Sequence, residues 1–534
     1  MIRFACLLLS TSLPLALAAP AAAQVDVDTA MLERDVTILS ADDMEGREAG
    51  TRGHERAAGY VAGRMAAMGL EPAGDDGTYF QRVPLLSYRL AETGNSLAIE
   101  GMDPLIFAQD YVSSGGPRYQ TANFTAPLVF VGYGLDMPGR NDFEGVDLNG
   151  AIAVRVGGLP DGINPEEAAY LNYTAGKRVS DRGAVGMLML ATPEMTARYP
   201  WEMATRGYAA ERVMTWVEAD GTGRTQSPNF RVGGMLSEDA ARRLFAGQDF
   251  DFDDIAAAEA TPEGRMPSFA LGRTATVEVA STYERIDSPN VVGMIRGSDP
   301  ALAGEYVVLT AHLDHVGIIP TEEEGDDEIY NGALDNAVGV ASLLEVARLL
   351  AADPPRRSVL VIAVTAEEKG LIGSSYNATH PTVPRDAIVA NVNLDMPIAT
   401  YDFTDVVARG AEHSTLNAAI DAAAREYGLT LSPDPTPEQG FFARSDQFSY
   451  VREGVPAVAV SPGFADGGME AQMAVFEAHY HQASDQVGLV SFPAIGKFAG
   501  VNYLIARNVA TMAERPAWNP GDFFGETYAA RTPN

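Results

Sequence analysis

Cysteine is almost missing from this sequence. The 534-residue chain contains one, Cys6, and it stands inside the opening stretch MIRFACLLLSTSLPLALAAPAAAQ. That stretch begins with Arg3, continues as an apolar run and ends in small residues, so residues 1–23 read as a secretory signal cleaved near residues 23 and 24. Ser and Pro break the run and it is short, which counts against a membrane anchor, and Cys6 lies far from the small-residue end where a lipid-attachment cysteine would stand. Once the leader is removed no thiol remains. Disulfides are then excluded, and any metal must be held by nitrogen and oxygen. Basic residues are scarce as well: 38 against 72 acids gives 38 − 72 = −34. Nucleic acid and anionic membranes both call for basic patches, so neither is expected as a partner. Solubility is the simplest use of such a charge, and an amine-bearing small substrate is compatible with it. No later run is long and apolar enough to span a bilayer. The expected compartment is periplasmic or extracellular, and the oligomeric state is left open.

The length exceeds what one compact core accommodates, which points to two domains. VDVDTAMLERDVTIL has helical spacing, and DMEGREAGTRGHERAAGYVAGRMAAMGLEPAG supplies a Gly-rich turn followed by a helix that closes at Gly69. Between about 120 and 270 the texture changes to short strand-like runs and turns, such as APLVFVGYGLD, GAIAVRVGG and AVGMLMLAT. From about 288 strands and helices alternate. EYVVLTAH, SVLVIAVT, AIVANVNLD and VPAVAVSPG are strands, and NAVGVASLLEVARLLAADPP is a helix with Val340, Leu343, Leu344, Ala347 and Ala351 on one face. Continuous apolar strands separated by helices predict an α/β fold with a mostly parallel central sheet covered on both faces.

In such sheets functional groups gather at the carboxyl ends of the strands. His312 and Asp314 follow EYVVLTA, Asp335 precedes a helix in NGALDNAVG, Glu367 and Glu368 follow SVLVIAVTA, Asp395 follows AIVANVNL, and His481 lies in HYHQASDQ. Two imidazoles and several carboxylates are the ligand mix of a zinc site without cysteine. So many acids would repel one another unless cations sat among them. Two divalent ions need one bridging carboxylate and terminal ligands for each ion. Asp335 is expected to bridge, His312 with Asp395 to complete one ion, and Glu368 with His481 the other. Glu367 is left as general base toward a water that the metals activate. Asp314 is expected to orient His312 by accepting its second N–H. The implied reaction is hydrolysis of an amide or ester.

HLDHVG, NGALDNAVGVASLLE, TAEEKGLIGS, NLDM and the YH of HYHQASD together resemble the ordered signature of the co-catalytic zinc aminopeptidase family, which also contains glutamate carboxypeptidases. GYG and DFEGVDLNG place residues 121–270 as similar to the β-rich protease-associated domain often inserted into these enzymes. EGREAGTRGHERAAGYV resembles their amino-terminal segment. The resemblance implies a phosphorylase/hydrolase-like zinc peptidase fold. It divides the chain into an amino-terminal part of the peptidase domain (25–120), the insert (121–270), the main peptidase domain (271–520) and a tail (521–534). It further implies two Zn²⁺ per chain, with Mn²⁺ or Co²⁺ also suited to the ligands, a peptide substrate with a free amino terminus, and release of amino-terminal residues. The roles it implies for the matching positions agree with those above.

Two departures stand out. Ser445, Asp446 and Gln447 replace the family's common Ser-Asp-His, and Phe442 stands where some members place a Tyr that supports the tetrahedral intermediate. Phe donates no hydrogen bond, so that support would fall to the metals, with Tyr450 and Tyr480 the only nearby alternatives in sequence. His479 competes with His481 as last ligand, and the Tyr-His order favours His481. His315 reads as structural or at the rim, and His54, His380 and His413 carry no functional expectation. EEEGDDE (322–328) is either a solvated loop or a lure for a cationic amino terminus. Three rival functions remain: a carboxypeptidase or dipeptidase, for which Arg444 would bind the substrate carboxylate; a non-catalytic receptor or binding protein on the same fold; and an amine cyclase using one metal, which two complete ligand sets disfavour.

Overall fold

The computed structural model describes residues 25–210, 212–321 and 325–528. The expected leader with Arg3 and Cys6, Glu322, Glu323 and Glu324 of the acidic loop, and the end of the 521–534 tail lie outside the described residues.

Four parallel strands form the centre of the first unit, in the order Ala457–Pro462, Ile388–Asn393, Tyr306–His312, Ser358–Val364. Asp405–Arg409 pairs antiparallel with Ala457–Pro462, and the strand Phe269–Ile295 pairs antiparallel with Ser358–Val364. Every residue of Ser358–Val364 and Ile388–Asn393 is buried, which is why these strands read as unbroken apolar runs instead of alternating ones. Helices Thr29–Leu39, Arg52–Ala67, Val338–Ala352, Leu416–Tyr427 and Phe492–Thr511 cover one face and supply the largest core. A second core on the opposite face is built around Val308, Leu360, Ile362, Phe448 and Phe524. The helix read from NAVGVASLLEVARLLAADPP spans Val338–Ala352. Gly69 (φ 78°) follows Arg52–Ala67, in the left-handed conformation that glycine adopts without steric cost.

The second unit has its own core, centred on Leu128, Phe130, Ile152, Val154, Leu188 and Phe245. Thr121–Phe130, Ile152–Val156, Gly186–Leu190 and Val232–Leu236 form a parallel sheet. Helices accompany these strands. In Glu238–Phe245 the residues Ala240, Ala241, Leu244 and Phe245 face the core, and the Ser237 side chain caps the first turn. The boundaries expected from sequence move. Ser96–Ile99 and Tyr111–Ser114, which fall in the range 25–120 set apart from the insert, pair with strands of the second unit. The boundary at 270/271 falls inside the strand Phe269–Ile295, whose 27 residues belong to both sheets. Its first half alternates, with Ala275, Val277 and Val279 buried and Thr276 and Glu278 turned out. Its last five residues, VVGMI, lie in the sheet of the first unit and carry no alternation. Short strands without an apolar run gave no sign of which sheet they join.

A buried acid in the second unit makes its stability depend on pH. Glu259 accepts one hydrogen bond from Thr192 Oγ1 (3.0 Å), and burial pushes its carboxyl up to about 7. A folded-state value above the unfolded one contributes stability that is full below about 4.5 and lost as the pH rises through about 7. Glu259→Gln is therefore expected to raise the melting temperature of the second unit at pH 8, by an amount corresponding to on the order of 2 kcal/mol. At pH 5 the gain is expected to be small. Calorimetry at the two pH values checks this.

Candidate metal centre

Five chain segments converge where the parallel strands end. His312 is the last residue of Tyr306–His312, Glu367 and Glu368 follow Ser358–Val364, and Asp395 follows Ile388–Asn393. Asp335 sits in the turn Ala333–Ala337 ahead of its helix, and His481 follows the helix Gly468–Ala478. Three residues on or beside these positions, Ala366 (φ 54°), Met396 (φ 43°) and His481 (φ 52°), hold left-handed backbone that non-glycine residues seldom adopt.

Asp335 is the hub. His312 Nε2 lies 3.1 Å from Asp335 Oδ1 and 2.9 Å from Asp395 Oδ1. His481 Nε2 lies 3.2 Å from Asp335 Oδ2 and 3.0 Å from Glu368 Oε2. One carboxylate thus offers a different oxygen to each of two ligand groups. Ligand atoms at tetrahedral corners around a zinc ion stand roughly 3.3 Å apart, given bonds of about 2.0–2.1 Å. Both groups match that spacing, so the donor atoms fit two metal ions sharing Asp335.

The electrostatics of the protein without ions agree. Burial opposes charge on His312, but Asp395, Glu367 and the hydrogen bonds to Asp335 and Asp395 hold its imidazolium well above the ordinary range. His481 is pushed up to about 10: burial works against it, and the bonds to Asp335 and Glu368 prevail. Burial would raise the Asp335 carboxyl, yet the two imidazoles hold it well below the usual carboxylate range. Glu367 moves the other way. Burial raises it well above the ordinary value, and Asp395, Asp446 and Glu368 add to the rise while His312 opposes it.

Asp314 acts differently from the expectation. The Nδ1–H of His312 donates to the backbone carbonyl of Asp314 (3.1 Å). The Asp314 carboxylate instead accepts the backbone N–H groups of Glu367 (3.0 Å) and Glu368 (3.3 Å), because the turn after Ser358–Val364 aims its N–H groups at this strand end. It ties the paired glutamates to the His312 loop. His315, read as structural or at the rim, is not at the rim: it is fully buried inside the cluster, with Nδ1 2.7 Å from Glu368 Oε1 and 3.8 Å from Asp335 Oδ2. It occupies one oxygen of Glu368 and leaves the other facing His481.

Asp485 had no signal in sequence. It accepts from the backbone N–H of Leu334 (2.8 Å) and Asp335 (3.0 Å) and fixes the bridging turn. Ser445 donates to Asp395 Oδ2 and accepts from Asn393 Nδ2 (2.8 Å). Gln447 accepts from Asn393 (3.0 Å) and donates to the Phe442 carbonyl (2.7 Å), so it braces the sheet end. Phe442 is packed among His413, Phe448 and Phe524 in the core. Tyr450 is buried with its hydroxyl on Asn377 (2.8 Å), whereas Tyr480 stacks on His481 and lines the site cavity. His479 bonds Ser484 (2.9 Å), His54 the Pro289 carbonyl (3.1 Å), and His413 pairs with Asp522; His380 stacks on Tyr376. In the acidic loop, Glu328 and Asp327 accept from Thr321 N–H and Gln486 Nε2.

The cavity over the cluster measures about 450 Å³ and reaches His312, Asp335, Glu367, Glu368, Asp395 and His481. Its remaining wall is largely apolar, with Met396, Ile398, Phe441, Phe464, Met473, Phe476 and Tyr480. Two cations line it. Arg409 is paired with Asp434 (2.9 Å), and Arg444 lies over the Phe441 ring with no ion pair among the described residues.

Comparison with known proteins bears on this half of the chain. Residues 290–505 match the model of peptidase family M28. Aminopeptidase Y of Saccharomyces cerevisiae is 29% identical over 244 residues, 44% of this chain and 40% of the yeast protein. A probable leucine aminopeptidase 2 of Aspergillus oryzae is 28% identical over 226 residues, 39% of this chain and 42% of that protein. The matched region thus spans about two fifths of these curated relatives. The aminopeptidase from Aneurinibacillus sp. strain AM-1 superposes with a TM-score of 0.51 at 19% identity, covering 93% of this chain and 97% of that one, a likeness of fold. The candidate ligands from His312 to His481 all fall within residues 290–505, the segment that is similar to peptidase family M28.

Proposed function

We propose that this protein is a secreted two-metal aminopeptidase that hydrolyses the amino-terminal peptide bond of peptides, with Glu367 as general base. The observation that carries this reading is the division of Asp335 between two ligand groups, with Glu367 lining the same cavity and belonging to neither. His312, Asp335 and Asp395 would hold one zinc ion, and Asp335, Glu368 and His481 the other. When bound, the ions supply Lewis acidity that polarises the scissile carbonyl and acidifies the attacking water. The protein's own residues do the rest. Glu367, whose carboxyl binds a proton readily in its buried acidic surroundings, takes one from the water and returns it to the leaving amine. Asp314 keeps Glu367 and Glu368 in register through their backbone N–H groups. The acidic floor suits a substrate's cationic α-amino group. The apolar wall suits a large apolar side chain on the released residue. Among the described residues no helix is long and apolar enough to cross a membrane, in keeping with an exported enzyme once the leader is gone.

Arg444 is the one observation favouring a second reading, a dipeptidase or carboxypeptidase that grips a substrate carboxylate. Amino-terminally acetylated peptides separate the two: their cleavage in preference to free peptides would support the second.

Two outcomes are expected. Glu367→Gln should keep both metals by elemental analysis and lose about 10²–10⁴-fold in kcat, whereas Glu368→Ala should lose metal as well. Equal metal loss in both variants would contradict the division of roles. In a panel of amino-acid p-nitroanilides, Leu, Met and Phe substrates should exceed Asp and Lys substrates by roughly tenfold or more in kcat/KM, and chelator should abolish all turnover.

A further inference from the structure

Arg47 is among the largest fully buried side chains of the described residues, and it reaches the metal centre from a segment that precedes the second unit in sequence. Its guanidinium donates from Nε to the Leu313 carbonyl (2.9 Å), from Nη1 to the carbonyls of Leu39 (2.5 Å) and Asn331 (2.7 Å), and from Nη2 to the Gly332 carbonyl (2.9 Å). Leu313 lies between His312 and Asp314, and Asn331 and Gly332 lead into Asp335. One planar fork therefore holds the loop of one terminal ligand and the loop of the bridging ligand at a fixed separation. The backbone carbonyl of Arg47 in turn accepts the His315 N–H (3.4 Å).

The turn that delivers Arg47 is built for that place. Glu45, Gly46 and Arg47 all hold left-handed backbone (φ 52°, 64° and 54°). A Cβ on Gly46 would stand 2.4 Å from the Gly317 carbonyl oxygen, so only glycine lets this turn lie against the His312–Gly317 loop. Glu48 pairs with Lys369 (3.0 Å), the residue after the two glutamates. Every hydrogen bond recorded for the guanidinium goes to a neutral carbonyl, while Asp485, Asp335, Asp314 and Glu368 act on it through their charge. Arg47 thus makes no ion pair with these carboxylates among the described residues.

We infer that Arg47 is a positioning residue of the metal centre: a buried guanidinium that sets the spacing of the His312 and Asp335 loops and counters the cluster's negative charge, so that the two ligand groups are assembled before metal arrives. The inference rests on the two-metal reading above. Arg357 is the natural control. It is equally buried and bonds Glu305 (2.7 Å) and the Met512 carbonyl (2.5 Å), next to the start of Ser358–Val364 and so at the opposite end of the sheet.

The test uses the full chain stripped of metal, with zinc affinity measured against a competing chelator and the d–d absorption of the Co²⁺-loaded protein as a report on ligand geometry. Arg47→Lys keeps the charge and loses the fork. It is expected to weaken zinc binding by about 10–100-fold and to change the Co²⁺ spectrum, while Arg357→Lys leaves both as in the wild type. Gly46→Ala displaces the turn without altering the guanidinium and is expected to act in the same direction; it serves as the test if Arg47→Lys does not fold. Wild-type zinc affinity and an unchanged Co²⁺ spectrum in Arg47→Lys, or in Gly46→Ala where that variant stands in, would overturn the role of Arg47 and leave the two-metal reading intact. A wild-type chain that takes up no zinc would overturn the two-metal reading, and this inference with it.

Discussion

Carboxylates crowd into a buried pocket only when positive charge sits among them, and the rest of the site follows from that constraint. Asp335, Glu368, Asp395, Asp314 and Glu367 share one strand-end crevice. His312 and His481 each lie between two carboxylates. Ions bound as proposed would take over the role of positive charge among these acids, and the imidazoles would give up their protons to ligate them. Asp335 can serve both groups because its turn is fixed from behind by Asp485 and from the side by the loops that Arg47 joins.

The sheet explains why these residues meet. Neighbouring parallel strands end at one level, so His312, Glu368 and Asp395, far apart in sequence, lie side by side. Burial on both faces leaves the strand ends as the place where polar groups can collect. The cavity above them joins acids on its floor to Met and Phe side chains on its wall. That combination suits a molecule with a charged amine next to an apolar side chain.

Much of this was legible in the sequence. EYVVLTAH and SVLVIAVT announced strands through unbroken apolar runs, and the acids after them marked strand ends. What stayed hidden depends on backbone direction. His315 follows His312 closely, and only the path of the turn decides that its ring enters the cluster. Asp485 acts by accepting two backbone N–H groups, a role that leaves no spacing pattern. Asp314 was found in the right neighbourhood with the wrong contact, because a carboxylate two residues from a histidine can serve either the ring or the adjacent loop. Arg47 looked like one charge in a Gly-rich turn. Ser96–Ile99 and Tyr111–Ser114 carried no sign of the sheet they join, since four-residue strands have no apolar signature of their partner.

The strand Phe269–Ile295 has one more consequence. Between the two cores it is flanked by Phe80–Leu90, which in turn pairs with Val213–Trp216, so the neck of the molecule is a three-stranded ribbon and not a flexible tether. Stretching such a ribbon breaks its cross-strand hydrogen bonds, whereas winding it about its long axis keeps them. The second unit is held at more than this ribbon: Tyr170 of the helix Pro165–Tyr173 packs its ring against Phe523 and Tyr528, so its seat on the first unit is fixed at two separate places.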